Sequence, residues 1–372
     1  MRIVEKSVML HGSPGTPRAM YTFPTLCQLS AGALLATCRA GWTKDSDDET
    51  VSLYRSDDSG RTWRTIGPFS CPELDDKSGS LKLVYLTEIS REHLLGAAMW
   101  VDRQSYPGQP LFNPKTEGCL PMAILLAESY DAGATWSPWR RVPMPPQIGP
   151  PSLTNPILRL PDGTLLMSIE TNKNYTDGSK WYQKVVLLHS NDNGRTWGQP
   201  IVASQDPSGR TYNWDQRAVA SPDGPVATFA WTYDSAAKQY INIHRRLSFD
   251  GGWSWTPPSD IGIADQAGVP TVLPDGRVVL PWVDRFQSRS IRARLAKAVD
   301  APFEPLSEIV LYEHSRQGTG AFRSTADVLA EMGLWTFGLP FAEALSDGSV
   351  LVLYYAGDSD RLDIHQVRLT VD

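Results

Sequence analysis

The sequence lacks any long apolar run. No stretch of about 18 apolar residues is present that could cross a membrane as a helix. The first residues, Met1 to Met9, include basic side chains but no apolar core of the kind that a secretory signal needs. These absences predict a cytoplasmic protein that has no membrane partner.

Positive charge is scarce as well. The 35 Lys and Arg residues are outnumbered by 41 Asp and Glu, which gives a formal net charge of −6 and no electrostatic reason to expect a nucleic-acid partner. The six histidines and four cysteines show no metal-ligand spacing, so neither a metal nor another cofactor is expected. The cysteines are expected to be free thiols, although Cys27 and Cys38 lie on neighbouring strands of one predicted hairpin, where a bridge is conceivable.

Two common catalytic motifs are also missing. The chain contains neither the G-x-S-x-G elbow of serine hydrolases nor the G-x-x-x-x-G-K-[ST] loop that binds nucleotide phosphates. These absences disfavour a serine hydrolase and an NTPase.

What the sequence does contain is a repeated motif, S-x-D-x-G-x-[TS]-W. The four copies are Ser56–Trp63, Ser129–Trp136, Ser190–Trp197 and Ser248–Trp255. Their spacing of roughly 60 to 70 residues is the length of a four-stranded propeller blade. The Asp can accept hydrogen bonds from its own turn, the Gly suits a positive φ, and the Trp is a large apolar plug for a seam between sheets. The motif is therefore structural and contains no catalyst.

A second pattern is a hairpin in which Asp-Gly, or a related turn, separates two apolar runs. This is the strongest short-range hairpin signal in a sequence. It occurs with glycines at Gly32, Gly163, Gly224, Gly276 and Gly348, and a degenerate copy with Arg91-Glu92 fills the second slot. Six hairpins predict six blades, of which only the first four keep the repeated motif.

The predicted fold is therefore all-β, a single six-bladed β-propeller over residues 1–372 with no linker. An N-terminal strand at residues 3–10 is expected to lie beside a C-terminal strand at residues 364–371 and so close the ring. One short helix is predicted at Thr325–Met332, ahead of the last hairpin.

Four copies of the motif, alternating with P-x-L…D-G-x-L-L hairpins, make nearly the whole chain resemble the sialidase superfamily. In that family the motif is known as the Asp-box, and the resemblance implies a sialidase-like six-bladed propeller with four Asp-boxes. It also implies a carbohydrate substrate. Sialidase sites share three arginines that clamp the substrate carboxylate, a Tyr nucleophile assisted by a Glu, and an Asp that acts as acid and base.

The chain departs from that site at several positions. Thr22-Phe23-Pro24 stands where the family has R-I-P, so the first arginine is missing. Trp231 occupies the position of the second arginine and Leu339 that of the Tyr, while the position of the third arginine is not identified in the sequence. Asp215 takes the position of the Glu, one methylene shorter, and the loop that should contain the catalytic Asp offers several carboxylates, Asp47 among them.

Other residues are candidates for the chemistry. When the hairpins are superposed by their paired apolar residues, six side chains share one position on the second strand: Arg39, Met99, Glu170, Trp231, Val283 and Tyr355. Such polar and aromatic types are costly to bury in a sheet, which favours a site at the channel mouth over strand ends that face trapped water. Asp215 and Glu170 come from neighbouring blades and are predicted to be the two carboxylates of glycoside hydrolysis. Alternatively, each simply pairs with an arginine, such as Arg217 for Asp215.

The tetrapeptide W-V-D-R occurs twice and ends at Arg103 and Arg285, in blades that are predicted to lie opposite each other. The residues predicted to bind an anionic or hydroxyl-rich sugar are Arg39, Arg103, Arg217, Arg285, Trp214 and Trp231. Trp42 and Trp335 are further candidates for stacking on a sugar. The alternatives are Asp-Arg pairs that close strand ends and tryptophans that pack in the core.

The sequence thus predicts an exo-acting glycoside hydrolase that cleaves a terminal sugar. Its catalytic candidates are Asp215, Glu170, Asp47 and Tyr355. The nearer analogy is the exo-arabinanase-like branch, which resembles sialidases in fold but uses carboxylates. Two alternatives stay open: a polysaccharide lyase acting on a uronic acid, with Tyr355 as base and Arg39 at the carboxylate, and a glycan-binding propeller without catalysis.

Overall fold

The computed structural model describes residues 1–314 and 332–371, which are almost entirely β-structure. The strands in chain order are β1 (Arg2–Leu10), β2 (Met20–Gln28), β3 (Leu34–Gly41), β4 (Thr50–Ser56), β5 (Arg64–Pro68), β6 (Gly79–Ser90), β7 (His93–Asp102), β8 (Met122–Ser129), β9 (Arg140–Arg141), β10 (Ser152–Leu153), β11 (Leu158–Arg159), β12 (Leu165–Glu170), β13 (Lys184–Ser190), β14 (Ile201–Gln205), β15 (Thr211–Ala220), β16 (Val226–Asp234), β17 (Gln239–Tyr240), β18 (Asn242–Ser248), β19 (Ser259–Ala264), β20 (Gln266–Ala267), β21 (Thr271–Val272), β22 (Val278–Asp284), β23 (Ser290–Ala296), β24 (Ile309–Glu313), β25 (Phe337–Ala344), β26 (Ser349–Gly357) and β27 (Leu362–Thr370).

Helix is confined to three short 3₁₀ turns in this part of the chain, at Pro146–Ile148, Pro305–Ser307 and Met332–Leu334. The helix predicted at Thr325–Met332 lies outside the described residues except for Met332. No helix among the residues that the structure describes has the length and apolarity needed to cross a membrane. All four cysteines are free thiols, so Cys27 and Cys38 are not bridged.

The strands form five sheets in a propeller arrangement. Three sheets have five strands, in the orders β10-β12-β13-β14 with β11 beside β12, β15-β16-β18-β19 with β17 beside β16, and β20-β22-β23-β24 with β21 beside β22. A four-stranded sheet runs β6-β7-β8-β9. The eight-stranded sheet runs β25-β26-β27-β2-β3-β4-β5, with β1 beside β27. Its two halves meet where β2 pairs in parallel with β27 at a single residue pair, Met20 and Leu362.

The hairpin turns contain residues with positive φ and connect neighbouring strands of a sheet. Gly163, Gly224, Gly276 and Gly348 have φ between 83° and 107°, where a side chain would strain the backbone. In the degenerate copy Glu92 adopts φ 67° without being glycine. These turns join β11 to β12, β15 to β16, β21 to β22, β25 to β26 and, at the degenerate copy, β6 to β7.

The four repeats of S-x-D-x-G-x-[TS]-W form one kind of turn. In the first, Asp58 accepts hydrogen bonds from Ser56 Oγ at 2.7 Å, from Thr62 N at 2.8 Å and from Thr62 Oγ1 at 2.6 Å. The same contacts recur at Asp131, Asp192 and Asp250. The Asp therefore holds its own turn closed, and the four turns connect β4 to β5, β8 to β9, β13 to β14 and β18 to β19.

The two ends of the described chain meet in one sheet. β1 pairs antiparallel with β27, with Ser7 opposite Gln366 and Leu10 opposite Ile364. Trp63 of the first repeat donates from Nε1 to Oε1 of Gln366 at 3.0 Å. In this sheet β27 lies between β26, which carries Tyr355, and β2, which carries Phe23, and both residues line the larger cavity described below.

Candidate functional site

Two adjoining cavities open where the inner strands end. The larger has a volume of about 670 Å³ and the smaller about 130 Å³. Both are lined by Phe23, Lys82, Leu111, Phe112 and Asp215. Asp215 therefore stands at the junction of the two spaces. Among the described residues, no member of the four repeats lines either cavity.

All ten residues that the sequence predicts for the site line one or both cavities. Those on the larger cavity are Arg39, Asp47, Arg103, Asp215, Trp231, Arg285 and Tyr355. Those on the smaller cavity are Glu170, Trp214, Asp215 and Arg217. Trp335 also lines the larger cavity, whereas Trp42 lines neither and its side chain is largely exposed. Of the six residues at the shared second-strand position, only Val283 is absent from both linings.

Irregular backbone brings Asp215 to the junction. β2, β15 and β25 each have a register shift, located between Thr22 and Thr25, between Trp214 and Arg217, and between Gly338 and Phe341. At these bulges Phe23, Asp215 and Leu339 have φ of 48°, 44° and 48°. Positive φ at residues with a Cβ costs on the order of 1–3 kcal/mol each and clusters at functional sites.

Asp215 has two neighbours at its carboxylate. Gln266 donates from Nε2 to Asp215 Oδ2. Nη2 of Arg217 lies 3.6 Å from Asp215 Oδ1, beyond hydrogen-bond range, while Nη1 donates to Thr154 O and, at 3.2 Å, to Tyr85 Oη. Arg217 is thus a nearby charge for Asp215 but is held by other partners.

Glu170 is the second carboxyl group and is almost completely buried, with 7% of its surface exposed. Its Oε1 accepts a hydrogen bond of 3.1 Å from the backbone N–H of Gln216. Burial, and after it the negative charge of Asp215, raise the pKa of Glu170 to about 8. At neutral pH Glu170 is therefore mostly protonated.

A cluster of five charged residues supports one wall of the larger cavity. Asp45 Oδ1 lies 2.5 Å from Lys82 Nζ and 2.8 Å from Arg103 Nη2. Glu49 lies 2.8 Å from Arg103 and 3.2 Å from Arg39. Burial alone would raise the pKa of Asp45 and Glu49, but the adjacent cations lower it below the usual range in both. Asp47 is mostly exposed and lies 3.8 Å from Arg103, at the edge of this cluster.

A second part of the lining is built around Arg285. Its guanidinium stacks 4.2 Å from the ring centre of Trp335 and 5.5 Å from that of Trp231. Asp265 accepts hydrogen bonds from Trp231 Nε1 at 2.7 Å and from Arg285 N at 2.8 Å. Burial raises the pKa of Asp265 to about 6, although Arg285 opposes the shift. Burial likewise raises the pKa of Tyr355 to about 12, so its phenol stays protonated at neutral pH.

Sequence reasoning missed several lining residues. Lys82 could have been found from the sequence, because it is the only charged residue in the apolar run at the start of β6. In the structure its side chain is nearly fully buried. Gln266 and Asp265 had none, since they begin or precede a strand of two residues. Lys44 lies in the acidic loop, and burial together with Arg285, Arg39 and Lys82 lowers its pKa well below the ordinary value.

No protein-family model matches the chain, and no curated protein sequence matches it. Solved structures do share its fold. A protein of unknown function from Dyadobacter fermentans is 21% identical with a TM-score of 0.76, over 100% of this chain and 99% of that one. The intramolecular trans-sialidase of Ruminococcus gnavus is 14% identical with a TM-score of 0.66, over 98% and 97%. The α-L-arabinanase of Penicillium chrysogenum is 17% identical with a TM-score of 0.65, over 98% of each chain.

These likenesses establish the fold, a sialidase-like β-propeller. At identities this low they do not carry the activity of those proteins over to this chain.

Proposed function

We propose that this protein is an exo-acting glycoside hydrolase that removes a terminal sugar by means of Asp215 and Glu170. The observation that carries the proposal is the pairing of two carboxyl groups with opposed environments at one junction. Asp215 lines both cavities and has the cation of Arg217 close to its carboxylate. Glu170 lines the smaller cavity and is buried, and its pKa is raised to about 8.

The environments suggest a role for each group. Two carboxyl groups whose surroundings push their protonation apart are the usual acid and base of a glycosidase. Glu170, protonated at neutral pH, would donate a proton to the leaving oxygen. Asp215, with a hydrogen bond from Gln266 and a cation at 3.6 Å, would act as base or nucleophile. General acid catalysis of this kind contributes about 10²–10⁴-fold in rate.

The charge of the larger cavity supports an anionic or hydroxyl-rich sugar. Its cationic lining residues are Arg39, Lys44, Lys82, Arg103 and Arg285, and its acidic ones are Asp45, Asp47 and Asp215. Among the described residues, Lys82 and Arg103 each pair with both Asp45 and Glu49, whereas Arg39 pairs with Glu49 alone and Arg285 with Asp265 alone. We therefore expect Arg39 and Arg285 to be the groups that meet the substrate. Arginine suits this task because its fork can bind a carboxylate through two hydrogen bonds.

We infer one domain of six blades, since the eight-stranded sheet divides into β25-β26-β27-β1 and β2-β3-β4-β5, joined by a single parallel pair. We also infer that the four repeats are Asp-boxes. Their position away from both cavities agrees with a structural role.

The polysaccharide-lyase alternative has less support. It needs a Tyr phenolate or a neutral His as base, and burial raises the pKa of Tyr355 to about 12. A phenol with that pKa is a poor base at neutral pH. A lyase would reveal itself by an unsaturated product that absorbs in the ultraviolet.

The test is a product assay of the purified protein against aryl and natural glycosides that include an α-sialoside, an α-L-arabinofuranoside and a β-glucuronide. Asp215→Asn is run beside the wild type. Sugar release by the wild type that falls at least 100-fold in the variant supports the proposal. Release that Asp215→Asn leaves unchanged removes Asp215 from the mechanism. Sugar binding with no product from any glycoside would favour a glycan-binding propeller.

A further inference from the structure

The only side chain among the described residues that donates a hydrogen bond to the Asp215 carboxylate is that of Gln266. Asp215 lies on β15 and Gln266 on β20, in neighbouring sheets, so the contact crosses from one sheet to the next. Gln266 is 2% exposed, and its backbone pairs with Val283 of β22. It lines the larger cavity together with Asp215, Trp231 and Arg285.

The backbone at Gln266 is itself fixed. The preceding residue, Asp265, has φ 69° and is anchored through its carboxylate to Trp231 Nε1 and to the backbone N–H of Arg285. Because Gln266 is also nearly fully buried, close packing limits the rotamers that its side chain can adopt. Gln266 can therefore impose an orientation on Asp215.

Asp215 needs an external partner for two reasons. Its backbone is held in a left-handed conformation that local structure does not favour. Its carboxylate also lies 3.6 Å from the Arg217 guanidinium, which would attract it into a direct ion pair if nothing held it back. The hydrogen bond from Gln266 to Oδ2 opposes that movement, because Arg217 approaches the other oxygen, Oδ1.

We propose that Gln266 is a positioning residue that holds the Asp215 carboxylate at the junction of the two cavities and away from Arg217. The role in catalysis rests on the proposed function of Asp215. The acting part of Gln266 is its side-chain N–H donor, which reaches Asp215 from another sheet.

The decisive variants are Gln266→Met, which removes the donor at similar volume, and Gln266→Glu, which replaces it with a carboxyl group of the same shape. We expect Gln266→Met to lower kcat roughly 10- to 100-fold with KM changed by less than about threefold, because a reacting group is misplaced while the cavity is kept. Gln266→Glu should be nearly inactive at pH 8, where two carboxylates would repel. It should recover at least about tenfold towards pH 5, where a proton shared by the pair restores the donor.

The control is Gln183→Met. Gln183 is equally buried, and both ends of its amide hydrogen-bond to the backbone of Asn213, but it lines neither cavity. It should lower the melting temperature without moving the pH profile. A Gln266→Met enzyme with wild-type kcat, or a Gln266→Glu enzyme without acid recovery, would overturn the inference.

A readout that needs no activity separates this inference from the proposed function. Crystal structures of the wild type and of Gln266→Met should show the Asp215 carboxylate rotated towards Arg217 in the variant only. If the wild type cleaves no glycoside but this rotation occurs, the proposed function fails and the positioning role stands. If the enzyme is active and the carboxylate stays in place, the positioning role fails and the proposed function stands.

Discussion

Glu170 accepts a hydrogen bond of 3.1 Å from the backbone N–H of Gln216, the residue that follows Asp215 in the chain. The two carboxyl groups of the site are therefore connected through one peptide unit. A change of charge on one carboxyl group alters the electrostatic environment of the other, which is why Asp215 contributes to the raised pKa of Glu170.

The first prediction concerns the leaving group. If Glu170 protonates the leaving oxygen, Glu170→Gln should cut kcat/KM at least about 100-fold on a natural glycoside but much less on a 4-nitrophenyl glycoside, whose leaving group needs no proton. Asp215→Asn should be equally damaging on both substrates. The measurement is kcat/KM of each variant on the two substrates. Equal losses for Glu170→Gln would assign Glu170 a structural role instead.

The second prediction concerns pH and activity. Because Glu170 must be protonated to act as an acid and its pKa is raised to about 8, kcat/KM of the wild type should fall as the pH rises through about 8. The residual activity of Glu170→Gln on the 4-nitrophenyl substrate should lack that decline, since an amide does not titrate. A basic limb that persists unchanged in Glu170→Gln would belong to another group.

The third prediction concerns pH and stability at the same residue. The folded state binds the Glu170 proton more tightly than the unfolded chain, so the stability of the wild type falls as the pH rises from about 4.5, the unfolded value, to about 8. Glu170→Gln keeps the acceptor for Gln216 N and removes the buried charge. At pH 9 it should therefore be more stable than the wild type, by on the order of 2 kcal/mol. Denaturant unfolding at pH 5 and pH 9 measures this, and an equal effect at both values would contradict the assignment.

The fourth prediction compares two adjacent aspartates in the first repeat. Asp58 holds the turn through three hydrogen bonds, so Asp58→Ala should cost about 1–3 kcal/mol of unfolding free energy. Asp57→Ala removes the same charge from an exposed side chain that pairs only with surface arginines, and should cost less than about 1 kcal/mol. Thermal or urea unfolding of both variants tests the difference. Activity should be unaffected in each, because neither residue lines a cavity.

The fifth prediction concerns the charged wall of the larger cavity. Glu49 is buried between Lys82, Arg103 and Arg39, and Glu49→Gln leaves those cations undercompensated, at a cost of about 3–5 kcal/mol. Asp47→Asn makes the same charge change at the exposed edge of the cluster and should cost less than about 1 kcal/mol. Comparable losses in the two variants would mean that the cluster contributes little beyond its surface charge.

Much of the fold follows from local chemistry that a sequence reveals. Asp-Gly turns and the S-x-D-x-G-x-[TS]-W motif each depend on residues within eight positions of one another. Both can therefore be recognised in the sequence without knowing which other strands pack against them. Hairpin superposition also placed Arg39, Glu170, Trp231 and Tyr355 at the cavities, because strands of similar length deliver equivalent positions to the same end.

The remaining parts of the site depend on contacts between distant segments. The bulges at Phe23, Asp215 and Leu339 are set by how a strand fits its neighbours, and only one of the three residues is polar. The bond from Gln266 to Asp215 joins residues that are 51 positions apart and belong to different sheets. No local sequence pattern predicts such a contact, so Gln266 could not be identified as the partner of Asp215 from the sequence.

The pairing of β1 with β27 has a consequence for synthesis of the protein on the ribosome. Ser7 lies opposite Gln366, which is 359 residues further along the chain, so the partner of β1 is made after all the other described strands. Until residues 362–370 have left the exit tunnel, β1 exposes unpaired backbone that can recruit a strand from another nascent chain. The rate of translation determines how long β1 stays unpaired. Slower translation of the stretch between these two strands should therefore lower the yield of monomeric protein even though the finished molecule is unchanged.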